Sequence, residues 1–225
     1  MARSLRGMGR WIEMDDRLYD YVVDHTTLPD PTLPALAERT SAEAGDFAGM
    51  QIGADEGAML TALARMVQAR FAVEVGTFTG YSSIAIARGL QPGGRLLCCD
   101  VSEEWTSIAR DAWREAGVED RIELRIAPAA ETLADLDEDT VVDLAFIDAD
   151  KPGYRTYYDE IVARLRPGGL VLLDNVLWSG EIVTPDEADE NRTALRAIND
   201  HVAADDRVEA IMLPIADGLT IARKR

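Results

Sequence analysis

The chain has 225 residues, a formal net charge of −18 at pH 7 and a sequence pI near 4.4, which disfavours binding to nucleic acids and anionic membranes, since both are bound through their phosphates. Its two cysteines, Cys98 and Cys99, are neighbours on a predicted strand and cannot form a disulfide with each other. Residues 1–11 are basic but lack the apolar core of a signal peptide, and no apolar run reaches membrane-spanning length, so a reduced, soluble, cytoplasmic protein is expected.

Helices are predicted for the N-terminal part of the chain. Apolar residues at helical spacing indicate an amphipathic helix over 14–26, and three prolines separate it from a second helix over 35–44. An irregular link at 50–53 leads into a strong helix over 54–69. Residues 1–50 are therefore expected to form a helical extension of a single domain that covers 1–225.

The first predicted strand, Phe71–Val75, is apolar except for Glu74, as is typical of an inner strand covered on both faces. Gly76 and Gly80 lie in the turn that follows, where glycine permits positive φ and a close approach of a ligand to the backbone. A helix is predicted over 81–90. The spacing E-x-G-x-x-x-G differs both from the G-x-G-x-x-G of dinucleotide folds and from the phosphate-binding loop of NTPases.

The second predicted strand covers 95–99 and ends at Asp100. A carboxylate at the tip of this strand can accept hydrogen bonds from a ribose diol. Because no pyrophosphate receptor accompanies it, a nucleoside without phosphates is the favoured ligand, and S-adenosylmethionine is the commonest of these. The alternative is that Gly76 and Gly80 are ordinary turn glycines and that Glu74 and Asp100 are solvated strand ends.

Strands and helices continue to alternate to the C-terminus. This order predicts an α/β fold with a mostly parallel seven-stranded sheet, helices on both faces and right-handed crossovers. An Asp-Gly turn at 217–218 predicts a C-terminal antiparallel hairpin. The predicted helices are 102–116, 129–136, 154–165 and 190–204, and the predicted strands are 121–127, 141–147, 170–173, 208–214 and 219–223.

Polar side chains follow the fourth and fifth strands, at the sheet edge where open α/β folds bind ligands. Asp148, Asp174 and Asn175 offer only oxygen ligands, which suits Mg²⁺, Ca²⁺ or Mn²⁺. Adjacent residues of a strand face opposite ways, so Asp174 and Asn175 can share an ion only if the strand ends there and the chain turns. The alternative is that this pair caps a loop and that Asp148 binds a backbone amide.

Lys151, just beyond Asp148, is a candidate base, because a nearby cation and sulfonium would favour its neutral amine; most lysines, however, are solvated charges. Trp178 is a candidate wall of an aromatic acceptor pocket, with core packing as the alternative. Tyr154 is more typical of packing. His25 and His201 lie on predicted helices away from the strand tips and are interpreted as structural.

Five blocks of the sequence resemble the cation-dependent O-methyltransferases, the family that includes caffeoyl-CoA and catechol O-methyltransferases. They are MQIG at 50–53, EVGTFTGYSS, LLCCDVSEEW, FIDADKPGY and LLDNVLWSG. The resemblance covers nearly the whole chain from residue 50 onward. It implies a Rossmann-like class I methyltransferase fold, S-adenosylmethionine and a divalent cation (Mg²⁺ before Ca²⁺ or Mn²⁺) as cofactors, and a homodimer. The segment 1–50 would then contribute to the acceptor site or to dimer contacts.

The resemblance also implies roles for individual residues. Lys151 is the expected general base, with Asp148 as the second catalytic residue, and Asp100 is expected on the ribose and Glu74 near the methionine amine. Asp148, Asp174 and Asn175 are the expected metal ligands. The expected substrate contacts are Lys151, Trp178 and Tyr154, and the expected cofactor contacts are Met50, Ile52, Glu74, Gly76, Thr77, Phe78, Ser82, Asp100, Val101, Ala127, Pro128, Asp148 and Asp150.

The predicted reaction is cation-dependent transfer of a methyl group from S-adenosylmethionine to a hydroxyl of a catechol-like small molecule. A caffeoyl-CoA-type ester is an alternative acceptor, although no basic residues for the CoA phosphates are identified. A nicotinamide oxidoreductase is disfavoured by the missing G-x-G-x-x-G and by the lack of a Tyr-x-x-x-Lys pair after the fourth strand. A non-catalytic nucleoside-binding protein is the third alternative. Acceptor choice is assigned to the N-terminal helices and to the loop over 178–186.

Overall fold

A computed structural model describes residues 12–184 and 189–225 of the chain. The predictions made for the basic segment 1–11 and for the end of the loop at 185–186 therefore lie outside the described residues. Eight α-helices are described: α1 (Asp16–Asp24), α2 (Leu33–Glu43), α3 (Ala54–Met66), α4 (Tyr81–Gly89), α5 (Glu103–Ala116), α6 (Ala129–Ala134), α7 (Tyr154–Arg164) and α8 (Glu190–Ala204).

The described strands form one sheet of seven, in the order β3-β2-β1-β4-β5-β7-β6. The first five pair in parallel, β7 runs antiparallel to both β5 and β6, and the predicted hairpin is thereby confirmed. The strands are β1 (Phe71–Val75), β2 (Arg95–Asp100), β3 (Ile122–Ile126), β4 (Val142–Ile147), β5 (Leu165–Leu173), β6 (Val208–Leu213) and β7 (Leu219–Lys224).

The alternation of side chains along the inner strands divides the core into two layers. Ala72 and Leu96 pack with α3, α4 and α5 on one face of the sheet, while Val73 and Leu97 pack with α6, α7 and α8 on the other. Cys98 belongs to the first layer and Cys99 to the second, and both thiols are free and buried, as the strand periodicity predicts.

The start of β5 differs from the prediction. The sequence predicts a helix to residue 165, a break at 166–169 and a strand from 170, but α7 ends at Arg164 and the strand begins at Leu165. Leu165 pairs with Val142 and Leu170 with Leu144, so residues 166–169 form a bulge opposite one residue of β4. Gly168, at φ +79°, permits this bulge, and pairing with β4 decides the strand assignment.

Smaller elements complete the chain. Short 3₁₀ segments cover Gly45–Met50, Glu119–Arg121, Lys151–Gly153 and Trp178–Val183. The first lies mostly in 45–49, for which no element is predicted, and the last lies in the predicted loop over 178–186. Within the described ranges, no helix combines the length and the apolarity that crossing a bilayer requires.

Candidate active site

Backbone hydrogen bonds align the carboxyl ends of four parallel strands, β2, β1, β4 and β5. Gly76 N donates to Cys99 O at 2.9 Å, Asp148 N donates to Val75 O at 2.8 Å, and Asp174 N donates to Ile147 O at 3.0 Å. The residues that follow these strands therefore begin at one edge of the sheet. A cavity of about 1020 Å³ opens there, which is large enough for a nucleoside cofactor together with a small second ligand.

Nearly all predicted site residues line this cavity. The two that do not are Glu74 and Tyr154, which lie behind its wall. Those that do are Met50, Ile52, Gly76, Thr77, Phe78, Ser82, Asp100, Val101, Ala127, Pro128, Asp148, Asp150, Lys151, Asp174, Asn175 and Trp178.

Asp100 shapes the turn after β1. Its Oδ2 accepts hydrogen bonds from the backbone N–H groups of Thr77 and Phe78, both at 2.9 Å, and its Oδ1 accepts from Ser102 N at 2.8 Å. A carboxylate has about four lone-pair positions, so these three bonds leave about one for a ligand. The position supports the predicted ribose contact but favours one hydroxyl rather than the diol.

Gly76 lies where β1 meets the tip of β4. It has φ +91°, and a Cβ placed on it would lie 1.8 Å from the backbone oxygen of Asp148. We expect Gly76→Ala to lower the free energy of unfolding by about 3–5 kcal/mol, from overpacking plus backbone strain. Gly93→Ala is the matched control, because Gly93 has φ +75° with nothing within 4 Å of its Cβ, and only the strain of about 1–2 kcal/mol should appear. Urea unfolding measures both, and equal losses would contradict the steric explanation.

Glu74 is completely buried behind the glycine turn. Its Oε2 accepts a hydrogen bond from Cys98 Sγ at 3.2 Å, and its Oε1 has no partner among the described residues. Burial raises the pKa of Glu74 to about 8, and the polar groups of Ser82, Cys98 and Thr77 offset only part of that effect. A buried carboxyl with a free oxygen suits a donor such as the methionine amine, but the predicted contact requires that the ligand reach past the cavity wall.

This buried carboxyl predicts a pH effect on stability. In the unfolded chain Glu74 titrates near 4.5, whereas its pKa in the fold is about 8, so between these values the unfolded state binds fewer protons and the free energy of unfolding falls as pH rises. Glu74→Gln keeps the shape without the charge. From pH 5 to pH 8 we expect the variant to gain about 2–4 kcal/mol relative to the parent protein in urea unfolding without ligands. Parallel pH curves for the two proteins would contradict the assignment.

Asp174 and Asn175 are in direct contact, and Lys151 links Asn175 to Asp148. Asn175 Nδ2 donates to Asp174 Oδ2 at 3.1 Å, and Lys151 Nζ donates both to Asn175 Oδ1 at 2.6 Å and to Asp148 Oδ1 at 3.3 Å. Asn175 has φ +57°, so the strand ends and the chain turns as required for Asp174 and Asn175 to face one point. A single ammonium thus already meets oxygens from two of the three side chains.

The chemistry of this set suits a hard divalent cation. Burial, followed by repulsion from Asp148, raises the pKa of Asp174 to about 7, and burial likewise raises the pKa of Asp148. Buried carboxyl groups that repel each other are stabilised by a shared cation. No three His, Cys, Asp or Glu side chains cluster for metal binding within 12–184 and 189–225, so the amide oxygen of Asn175 is needed as a third ligand.

Lys151 is the buried cation at the centre of this group, with 8% of its surface exposed. Besides the carboxylate of Asp148 and the amide of Asn175, Lys151 Nζ donates a hydrogen bond to the hydroxyl of Tyr154 at 2.8 Å. That hydroxyl in turn donates to the backbone oxygen of Asp174 at 3.1 Å. Tyr154 therefore holds the Lys151 amine in place through its hydroxyl. Since Tyr154 is fully buried and does not line the cavity, its position favours this supporting role over the substrate contact predicted from the sequence.

Trp178 lies near Lys151 in the cavity lining. Its ring centre lies 6.0 Å from Lys151 Nζ, and its side chain is half-buried and lines the cavity. Trp178 at φ +49° and Ser179 at φ +51° both adopt left-handed backbone, which is sparsely populated by such residues and concentrates at functional sites. Trp178 also packs against the core layer on the α7 and α8 face of the sheet, so its position agrees both with a pocket wall and with core packing.

Both histidines lie away from the cavity, as predicted. His25 Nδ1 is 2.7 Å from the backbone oxygen of Tyr21, and His201 Nε2 is 3.1 Å from Asp159 Oδ1.

Several cavity residues escaped the sequence interpretation because their local patterns indicate other roles. The local sequence indicates that Glu56 is an acid in the first turn of α3, that Asp217 is a turn residue of the hairpin, and that Tyr157 is a packing residue. Trp105 lies on α5 with its ring 5.4 Å from that of Phe78. Further lining residues that were not among the predicted contacts include Gln51, Thr79 and Tyr81.

Comparisons with known proteins agree with this architecture. The family profile described as O-methyltransferase matches residues 24–225. A probable caffeoyl-CoA O-methyltransferase 1 from Dictyostelium discoideum is 36% identical over 217 residues, which cover 95% of this chain and 94% of that protein. The catechol O-methyltransferase domain-containing protein 1 of Mus musculus is 35% identical, over 93% of this chain and 80% of that protein. The crystal structure of the O-methyltransferase TomG from Streptomyces achromogenes in complex with S-adenosylmethionine has a TM-score of 0.84 at 30% identity, over 94% of this chain and 99% of that chain.

The sheet order, the glycine turn after β1 and the acid at the tip of β2 define an S-adenosylmethionine-dependent methyltransferase of the Rossmann-like class. Within that class, the chain belongs to the O-methyltransferase family. The resemblance stated from the motifs is confirmed, and the nicotinamide oxidoreductase and the non-catalytic binding protein are not retained.

Proposed function

We propose that the protein uses a divalent cation to transfer the methyl group of S-adenosylmethionine to one hydroxyl of a catechol-like small molecule. The observation that carries this proposal is the contact group of Asp148, Asp174, Asn175 and Lys151 at the cavity edge. Asp148, Asp174 and Asn175 would hold the cation, with Mg²⁺ before Ca²⁺ or Mn²⁺. When bound, the cation supplies Lewis-acid polarisation of two vicinal oxygens.

The protein's own residues would bring the two reactants together. Lys151 Nζ, positioned by Tyr154, is the group that takes the proton of the reacting hydroxyl. Asp100 and the turn 76–80 hold the nucleoside end of the donor, and Trp178 forms a flat wall for an aromatic ring. Placing both reactants in attack geometry contributes much of the rate in such a reaction.

The charge around the cavity supports a small acceptor that is not polyanionic. Lys151 is the one basic side chain among the described residues that line the cavity. Six acids accompany it: Glu56, Asp100, Asp148, Asp150, Asp174 and Asp217. The three phosphates of a CoA ester would be repelled by this lining. A caffeoyl-CoA-type acceptor remains the second candidate because the Dictyostelium discoideum relative carries that name.

A methyl-transfer screen tests the proposal. Purified protein is incubated with S-adenosylmethionine and catechol, caffeic acid, a flavonoid with a vicinal diol, or caffeoyl-CoA, each with Mg²⁺ or with EDTA, and methylated products are identified by mass spectrometry. We expect Mg²⁺-dependent methylation of free vicinal diols and little turnover of the CoA ester. Transfer that persists in EDTA would contradict the cation role, and preferred turnover of caffeoyl-CoA would select the second candidate.

The remaining expectations stay predictions. A single domain over 1–225, a cytoplasmic location, a homodimer, and the lack of nucleic-acid or membrane binding follow from the composition or from the family resemblance. Sedimentation of the purified chain would test the homodimer.

A further inference from the structure

Glu56 is a buried carboxyl group of the cavity lining. It lies in the first turn of α3, its side chain is fully buried, and it lines the cavity. Neither carboxyl oxygen has a hydrogen-bond partner among the described residues. Leaving a buried carboxyl group unpaired costs several kcal/mol, so a partner for Glu56 is expected to arrive with a ligand.

The neighbours of Glu56 indicate which ligand this is. After burial, the largest electrostatic influences on its carboxyl come from Asp174 and Asp148, which are the proposed cation ligands. Glu56, Asp148 and Asp174 line the same cavity, so their carboxyl groups share it. These three groups are acids, and Lys151 is the one basic side chain among the described residues that line the cavity, so a further positive charge or a strong hydrogen-bond donor would stabilise the unpartnered carboxyl group.

Glu56 does not belong to the ligand set itself. Within the described part of the chain, Glu56, Asp148 and Asp174 are not close enough to form a three-carboxylate metal cluster. Mg²⁺ takes six oxygen ligands and keeps several waters, and the protein offers three oxygens from Asp148, Asp174 and Asn175. Water held by a divalent cation donates its hydrogen bonds outward, and an unpaired carboxyl group is a strong acceptor for them.

We propose that Glu56 is an outer-sphere partner of the divalent cation and would accept hydrogen bonds from water that the cation holds. This inference rests on the proposed cation site. The role makes Glu56 a positioning residue, which would order the water that the cation holds.

Direct binding of Mn²⁺ to the full-length protein, followed by the electron paramagnetic resonance of the free ion, tests this role without an activity assay. For Glu56→Gln we expect the Mn²⁺ dissociation constant to rise about 10-fold or more, as is common for outer-shell partners. Asp55→Asn is the matched control: Asp55 is the adjacent acid of the same helix turn, contacts the Tyr19 hydroxyl at 3.3 Å and does not line the cavity. Its dissociation constant should stay within twofold of the parent value.

Two further measurements separate the possible outcomes. The affinities for S-adenosylmethionine and S-adenosylhomocysteine, by calorimetry, should not change in Glu56→Gln; a selective loss of S-adenosylmethionine affinity with normal Mn²⁺ binding would assign Glu56 to the sulfonium and overturn the inference. Glu56→Asp, which keeps the carboxyl group on a shorter side chain, should bind Mn²⁺ with intermediate affinity and covers the case in which the Gln variant does not fold.

Unchanged Mn²⁺ affinity in folded Glu56 variants would also overturn the inference. If the Glu56 variants bind Mn²⁺ normally but Asp174→Ala loses Mn²⁺ binding, the proposed function stands without this inference. Absence of Mn²⁺ binding to the parent protein would overturn both the inference and the proposed function.

Discussion

Replacing Asp174 by alanine should lower methyl-transfer turnover about a thousandfold, because a bound cation contributes several kcal/mol to stabilising developing negative charge and each 1.36 kcal/mol is a factor of ten. Asp174 is 3% exposed and lies against Asn175, so its loss removes one proposed ligand and the partner of another. The dissociation constant for S-adenosylmethionine should change by less than about threefold. Steady-state turnover at saturating donor, together with calorimetric donor binding, measures the two effects separately.

The control for Asp174 is Asp135→Ala. Asp135 is exposed at the end of α6 and does not line the cavity, so this variant should keep the parent turnover and the parent response to EDTA. Asp174→Ala should be insensitive to EDTA. Parent-like turnover of Asp174→Ala would remove the metal role, and an equal loss of donor binding would instead indicate a collapsed cavity.

Lys151→Met should lower turnover by about 10²–10⁴-fold, the usual contribution of a positioned base. This lysine has no solvent-facing role, because it is 8% exposed and donates to Asp148, Tyr154 and Asn175. The effect should fall on turnover rather than on donor affinity. Initial rates at saturating donor and acceptor, over a range of pH, are the measurement.

Lys151→Arg separates proton transfer from charge. Arginine keeps the positive charge beside Asp148 but does not release a proton at accessible pH, so a base at this position predicts that the Arg variant is nearly as slow as the Met variant. Retention of more than about a tenth of parent turnover by Lys151→Arg would mean that Lys151 acts through its charge.

Tyr154→Phe tests whether Tyr154 positions Lys151. This variant lacks the hydroxyl that lies 2.8 Å from Lys151 Nζ, so turnover should fall about tenfold and the pH profile of turnover should shift, while the affinity for the donor is kept.

Several residues around the cavity adopt left-handed backbone. Phe78, Asn175 and Trp178 all have positive φ, and each follows directly or closely after a strand tip. Backbone hydrogen bonds hold this geometry: Val176 N donates to Gly218 O at 2.9 Å and Leu177 N donates to Asp217 O at 3.0 Å. The hairpin turn at the C-terminus thus supports the loop that carries Asn175 and Trp178.

The sequence by itself determined the alternating architecture and most of the cavity edge. Phe71–Val75, Arg95–Asp100 and Val142–Ile147 carry their strand signal in a few consecutive residues, and polar side chains follow them directly. Parallel strands necessarily bring their carboxyl ends to one edge, so the grouping of Asp100, Asp148 and Asp174 follows from local pattern and topology alone.

Only the tertiary structure decided which side chains face the ligands. Glu74 and Tyr154 lie behind the wall, while Glu56 enters from a helix that precedes the sheet and Asp217 from a turn far along the chain. Pairing with β4 likewise extended β5 back to Leu165. These outcomes depend on how distant apolar faces pack together, and a periodicity read along one segment carries no information about the segment that will lie opposite it.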